Sequence, residues 1–292
     1  METYNTNYGL ITLYKNDFVI GNAFKKGGYW DINTLFKLRK YIDPNRNILE
    51  IGGHCGTSSI IYASFLNDTK KLYEPERKTY NLLVQNILEI EGYYKTSSIY
   101  ASFLINNIKE KKVYVYEPQR NMYNLLVQNI NQNNLQNKII PHNLGVFCFE
   151  GKGKMNNIDL IGGAVVSKRY NEENNLDCNF GSIPLGDNGE NINLTTIDNM
   201  KLDDIGFIHC DAEGSENFLF SKGIETIKKC RPVILYENKD FNGTELHDNV
   251  CKSYPNYKEE SMFDIKKYCM EQLNYSTFID RFNNSGDTLL IP

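Results

Sequence analysis

From residue 48 onward, short apolar runs alternate with stretches of helical period. Ile48-Leu-Glu-Ile51, Lys112-Val-Tyr-Val-Tyr-Glu117, Ile205-Gly-Phe-Ile-His-Cys210 and Pro232-Val-Ile-Leu-Tyr-Glu237 read as strands, and Lys138 to Cys148 as a strand with its exit loop. Helical patterns follow the first run at 57–66, the third from Asn217 to Lys229, and recur at 261–273. Ser276-Thr-Phe-Ile-Asp280 and Asp287-Thr-Leu-Leu-Ile-Pro292 close the chain as two further strands. This alternation predicts an α/β fold: a doubly wound, mostly parallel sheet covered by helices on both faces. Ahead of it, residues 8–24 alternate around Asn16-Asp17 and predict a hairpin. Asp31 is placed to cap a helix through Lys40, with Ile32, Leu35, Phe36 and Leu38 mostly on one face. Residues 1–47 therefore read as a hairpin and helix packed on a main domain at 48–292. Within that domain, 150–190 is Gly- and Asn-rich with weak periodicity, which predicts irregular strands near a substrate.

An internal repeat interrupts the pattern. Ile48-Leu-Glu-Ile…Thr57-Ser-Ser-Ile…Tyr62-Ala-Ser-Phe-Leu66 recurs as Ile87-Leu-Glu-Ile…Thr96-Ser-Ser-Ile…Tyr100-Ala-Ser-Phe-Leu104. Tyr73-Glu-Pro…Tyr80-Asn-Leu-Leu-Val-Gln-Asn-Ile87 recurs as Tyr116-Glu-Pro…Tyr123-Asn-Leu-Leu-Val-Gln-Asn-Ile130. Two copies make a tandem duplication of one βαβα unit, not a solenoid. The first copy keeps three glycines where the second reads Glu91-Gly-Tyr-Tyr-Lys95; the second keeps the full strand at 112–117 where the first has Lys71-Leu-Tyr-Glu74. The working unit is thus 48–66 joined to 105–130, with about 67–104 inserted.

The intact glycine turn, Gly52, Gly53 and Gly56 behind Glu50, follows a strand and opens a helix, the arrangement in which backbone approaches an anionic ligand. A dinucleotide loop reads G-x-G-x-x-G. Here the pattern is acid-x-G-x-x-x-G, similar to many methyltransferases that use S-adenosyl-L-methionine (SAM), and Glu50 offers a carboxylate to a ligand ammonium. An acid ending the second strand of such a unit bonds ribose hydroxyls. Glu117 fits that place; Glu74, 18 residues after Gly56, is its rival.

Composition narrows the class. Hydrophobic content of 41%, charged content of 23% and a net charge of −4 suit a globular protein and do not point to nucleic acid. No apolar run approaches a membrane span, and the first residues, Met-Glu-Thr-Tyr-Asn, carry no basic, apolar leader. Seven cysteines without a C-x-x-C pair read as free thiols, so a cytoplasmic protein is expected.

The ordered set Leu49-Glu-Ile-Gly-Gly-His-Cys-Gly56, Val115-Tyr-Glu-Pro-Gln119, Thr196-Ile-Asp198, Asp211-Ala-Glu-Gly-Ser-Glu216 and Pro232-Val-Ile-Leu-Tyr-Glu237 resembles the FkbM family of SAM-dependent methyltransferases. The resemblance runs from about residue 27 to the end, and the acidic turn is its most specific element. It implies a Rossmann-like class I methyltransferase fold, SAM as cofactor, and O-methylation of a sugar, glycan or small-metabolite hydroxyl. Two positions depart from the family pattern: His54 where Asn is usual, and His209 where Lys is usual. Asp211 or Glu213 is the expected base, Glu237 orients the acceptor, and His209 shares a strand face with Asp211. His209 also reads as a satisfied buried histidine. A divalent cation on these carboxylates is a rival reading that no second acid-rich motif supports, so no metal is expected. Two further functions compete. One is a binding or scaffold protein whose site the duplication has disabled; the other is a nicotinamide-dependent oxidoreductase, against which the glycine spacing argues.

Overall fold

The computed structural model of the protein describes residues 1–17, 19–66, 110–156, 165–170, 176–240 and 244–292, with the strand course alone given for 165–170 and 176–178. The chain opens with β1 (Glu2–Thr6) and β2 (Gly9–Leu13), an antiparallel hairpin. Its turn lies at Asn7-Tyr8, not at Asn16-Asp17: the Thr6 hydroxyl accepts from Tyr8 N at 3.0 Å and donates to Gly9 O at 2.7 Å. The expected second arm is instead helix α1 (Val19–Lys25). The Asp17 carboxylate accepts from Ile20 N at 3.1 Å and so starts the helix, and Ile20, Gly21 and Phe24 face inward at helical spacing. Helix α2 (Ile32–Leu38) lies where predicted, but Asp31 makes no side-chain cap. It takes a left-handed φ of 49° and lines a cavity instead. Leu35 and Leu38 are buried, whereas Phe36 stays exposed.

The main sheet follows the predicted strands. It comprises β3 (Asn47–Ile51), β4 (Val113–Tyr116), β5 (Ile139–His142), β12 (Ile205–Cys210), β13 (Val233–Glu237), β14 (Thr277–Ile279) and β15 (Asp287–Ile291), in spatial order β14-β15-β13-β12-β3-β4-β5. The pairs from β13 to β5 are parallel; β15 runs antiparallel between β13 and β14. Strand alternation sorts side chains to two faces. Ile48, Val113, Val115, Phe207, Leu235 and Leu289 pack with α2, α3 (Thr57–Phe65) and α4 (Arg120–Gln132). Leu49, Ile51, Ile208, Cys210, Ile234 and Leu290 pack with α5 (Glu216–Ser221), α6 (Ile224–Cys230) and α9 (Ile265–Gln272). The doubly wound α/β architecture is therefore present. Residues 67–109, with Glu74 and the first part of the second repeat copy, lie outside the described residues.

Between β5 and β12 the chain forms a smaller sheet, ordered β10-β7-β11-β6: β6 (Gly145–Val146), β7 (Gly151–Met155), β10 (Leu185–Gly186) and β11 (Asn191–Thr195). A separate hairpin pairs β8 (Val165–Tyr170) with β9 (Leu176–Cys178). The single helix expected from Asn217 to Lys229 is two. Gly223 lies so near Ile197 that an added Cβ would meet its Cδ1 at 2.9 Å. The Asp198 carboxylate then accepts from Thr226 N at 2.8 Å and Glu225 N at 3.3 Å, which restarts the helix as α6. After β13 come α7 (Thr244–Ser253) and α8 (Lys258–Ser261).

At the carboxyl edge of the main sheet, the ends of β3 and β12 converge. Gly52 has φ 83°, and a Cβ there would stand 1.8 Å from the Asp211 carbonyl oxygen. That atom belongs to backbone and cannot yield, so a side chain at 52 forces two strand ends apart. Gly52→Ala is therefore expected to fail as a folded protein or to lose several kcal/mol, on the order of 3 or more; thermal unfolding by circular dichroism checks this against Gly21→Ala, where a Cβ meets nothing within 4 Å.

Candidate active site

A cavity of about 380 Å³ opens at this edge, over the ends of β3, β4, β12 and β13. Met155, Ile183 and Leu185 of the smaller-sheet region line one wall, so the irregular stretch after residue 150 does border the site. Trp30, Asp31 and the start of α1 line another. Of the residues singled out in the sequence, Gly52, Gly53, Glu117, His209, Asp211, Glu213 and Glu237 line the cavity. Glu50 and Gly56 do not.

The glycine turn is held by protein. Gly52 N and Gly53 N both donate to the Tyr116 carbonyl, at 2.9 and 3.2 Å, and His54 N donates to Glu117 Oε2 at 2.8 Å. These amides are therefore committed. Cβ atoms at Gly53 and Gly56 would meet Val115 Cγ1 at 2.1 Å and Leu126 Cδ1 at 2.6 Å. The glycines let the turn lie against β4, α4 and the end of β12.

Glu50 is fully buried beneath the cavity floor. Its carboxylate accepts from the Ser58 and Ser59 hydroxyls, and His209 Nδ1 stands 3.7 Å away, an ion-pair distance too long for a hydrogen bond. Burial alone would depress the His209 pKa, but Glu50, then Asp211 and Asp287, reverse this and raise it. Glu50 thus acts on the site through His209, whose ring also meets Tyr62 edge-on at 5.6 Å.

Glu117 accepts from His54 N and, at 2.8 Å, from Gln119 N, which fixes both oxygens at the cavity wall. Burial pushes it up to about 7, against those two donors. In the acidic turn, Glu213 adopts a left-handed φ of 51° and faces Ser182 Oγ at 3.4 Å, whereas Glu216 turns inward and accepts from Ala212 N at 2.7 Å. Glu216 is hence a brace of the turn. Gly214 permits the turn's approach to α7, since a Cβ there would meet His247 N at 2.5 Å.

Like charges crowd the remaining wall. Burial raises Asp211 to about 6; His209 opposes the shift, and Asp287, Asp31 and Glu50 add to it. Asp211 keeps contact with solvent along the cavity but has protein on its other sides. Burial, with Asp211 next, raises Glu213 strongly and carries Glu237 to about 9. Burial likewise raises Asp31 and Asp287. Asp31, Asp287 and Trp30 are site residues that the sequence did not disclose. Asp287 reaches the cavity because β15 pairs with β13 in a register that sets it against Glu237. His54, pushed down to about 4 by burial, sits 3.8 Å from Asp17 at the rim. Among the described residues, no group of three His, Cys, Asp or Glu is arranged to hold a metal ion, and no helix is long and apolar enough to cross a membrane.

These shifts set a pH signature. A carboxyl whose folded pKa is raised adds stability at low pH and loses it as pH rises through that pKa. Glu117, Glu216 at about 8 and Glu237 should therefore destabilise the ligand-free protein progressively as pH climbs toward 9. His54 acts oppositely, costing stability as pH falls through about 4. The thermal midpoint of the ligand-free protein, followed by scanning fluorimetry, should fall as pH rises from about 5 toward 9; a flat profile over that span contradicts the burial of these acids.

A sequence model of the methyltransferase FkbM domain matches residues 85–261. The match begins at the end of the first repeat copy, so β3 and its glycine turn precede it. No curated protein matches the sequence. Among solved structures, the chain is similar to methyltransferase FkbM from Methylobacillus flagellatus KT, at 13% identity and TM-score 0.38, covering 85% of this chain and 44% of that one. It thus spans less than half the length of that relative. It is also similar to an O-methyltransferase from Bacillus cereus in complex with SAH, at 14% identity and TM-score 0.41, covering 89% and 79%. A third is an O-methyltransferase of tomaymycin synthesis from Streptomyces achromogenes in complex with SAM, at 12% identity and TM-score 0.38, covering 96% and 91%.

Proposed function

The chain belongs to the FkbM methyltransferase family, and from that premise we propose that it is a SAM-dependent O-methyltransferase acting on a hydroxyl of a sugar, glycan or other small metabolite. The observation that carries the reading is one cavity, at the carboxyl edge of the sheet, with Glu117 and the glycine turn on one side of Asp211 and Glu237 on the other. Ligands of open α/β sheets bind at that edge.

The residues fit the cofactor. Glu117, immobilised by two backbone donors, presents a carboxylate to a ribose diol. Gly52 and Gly53 line the cavity, and Ser58 and His54 supply further polar groups there. When bound, SAM supplies an electrophilic methyl group on a sulfonium.

On this reading Asp211, or Glu213 beside it, takes the proton of the acceptor hydroxyl. Asp211, raised to about 6, is ionised at neutral pH yet more basic than a free carboxyl, which suits a general base. Glu237 orients the acceptor. His209, paired with Glu50, tempers the charge next to Asp211 and positions it. Residues 1–47 would pack as a wall of this one domain, and 67–104 would be an insertion that leaves the site intact.

Calorimetric titration of the full-length protein tests the reading, with SAM expected to bind and NAD not. Glu117→Ala should weaken SAM by about tenfold or more, the worth of a charge-assisted hydrogen bond. Asp211→Asn and Glu213→Gln should leave SAM affinity nearly unchanged. At least one should lower turnover by roughly 10²–10⁴-fold, read by mass spectrometry as loss of the one-carbon gain in a methylated acceptor. Failure of SAM to bind would leave the scaffold reading in its place. Deleting 67–104, which rejoins Leu66 to Ile105, should preserve SAM binding; loss of binding in a folded deletion protein would show that the insertion serves the site.

A further inference from the structure

The acids of the carboxyl edge form an ordered row. Glu117 follows β4, the glycine turn follows β3, Asp211 follows β12, Glu237 ends β13, and Asp287 opens β15 directly opposite Glu237. Neighbouring strands lie about 4.8 Å apart, so Glu117 and Asp287 are separated by roughly 19 Å. One carboxylate at the glycine-turn end serves the cofactor. The far end carries Glu237 and Asp287, with Asp31 on the facing wall, and this is where the acceptor must enter.

That far end holds unsatisfied polar groups. Glu237 Oε2 is buried without a hydrogen-bond partner. Ser215, 1% exposed, lines the same cavity with a hydroxyl that also has none. Buried groups left unpaired are costly, and a ligand that completes them recovers the cost. Trp30, 37% exposed, stands at the wall beside Asp31 and presents an aromatic surface to the cavity. Among the described residues, no Lys or Arg lines this cavity, and its basic groups are His54 at the glycine turn and His209, already opposite Glu50. Carboxylates, a hydroxyl and an indole are together the set that recognises an ammonium group.

We infer that the acceptor carries a protonated amine, held by Glu237 and Asp287 with Trp30 beside it. The substrate class is then an amino alcohol or amino sugar methylated on its hydroxyl. This rests on the methyl-transfer reading and narrows it: a phosphorylated or carboxylated acceptor would add negative charge to an acid-rich wall, and a neutral sugar, although its hydroxyls donate to carboxylates, brings no positive charge to balance that wall. Because burial carries Glu237 to about 9, it holds a proton near neutral pH before the ligand arrives, and binding of an ammonium beside it should release that proton to the buffer.

The test needs no knowledge of the natural acceptor. Two nitrogen-centred analogues of SAM are compared, one with a 3-aminopropyl chain in place of the methyl and one with a butyl chain of similar length. S-Adenosylhomocysteine is the control, and all are titrated calorimetrically into the full-length protein. The aminopropyl analogue should bind at least about tenfold more tightly than the butyl one, with proton release shown by buffers of different ionisation enthalpy. Glu237→Gln combined with Asp287→Asn should abolish that preference while S-adenosylhomocysteine binds as before, which also shows that the variant is folded. Equal or tighter binding of the butyl analogue to the unmodified protein, with S-adenosylhomocysteine bound, overturns the inference and leaves the methyltransferase reading standing. No binding of S-adenosylhomocysteine overturns both. A preference that survives in the double variant removes Glu237 and Asp287 as the amine's partners.

Discussion

The site depends on one close approach between two strand ends. Gly52 and the Asp211 carbonyl lie nearer than any side chain at position 52 allows, and Asp211 N donates to Ile51 O at 3.0 Å across the same junction. Because β3 and β12 meet there, the glycine turn and the acidic turn share one cavity. The Tyr116 carbonyl then anchors the glycine turn to β4, which brings Glu117 to its other side. Three strands distant in sequence are thus tied by backbone contacts, and the functional carboxylates follow from where those strands end.

The second constraint is electrostatic. Glu117, Asp211, Glu213, Glu237, Asp287 and Asp31 border one cavity, and burial weakens the ionisation of each. Such an arrangement is a poor way to stabilise an empty fold. The cost is moderated by Glu50 and His209 below the floor, by the backbone donors on Glu117, and by Glu216 turning inward to accept from Ala212 N. A cationic cofactor, and on our inference a cationic acceptor, relieves what remains. Stability and ligand binding are coupled here through shared charge.

Much of this was legible in the sequence because strand alternation and strand-end acids are local signals. Ile48 to Ile51, Val113 to Glu117 and Ile205 to Asp211 carry their own pattern, and the structure lays them side by side. Two acids reached the site by means no local pattern records. Asp287 depends on an antiparallel pairing with Glu237 across 50 residues, and Asp31 looks like a helix cap but adopts a left-handed backbone and lines the cavity. The N-terminal hairpin was misplaced because Phe-Val-Ile-Gly alternates no more clearly as a strand than as a helix turn, and the Asp17 cap decides for the helix. Glu50 is visible as an acid, but its two serine partners sit in the first turn of α3, across the glycine loop, so its burial is not. A glycine-rich turn in sequence suggests room for a ligand; at Gly52, Gly53 and Gly56 the neighbouring atoms are the protein's own.

The central claim is that cofactor and acceptor occupy opposite ends of one acidic cavity, divided at Asp211. A crystal structure of the full-length protein with S-adenosylhomocysteine tests it most directly. The account predicts the ribose hydroxyls on the Glu117 carboxylate and the sulfur facing Asp211, with Glu237 and Asp287 still open to the cavity. A ligand seated on Glu237 and Asp287 with Glu117 uncontacted, or bound outside this cavity, would contradict it.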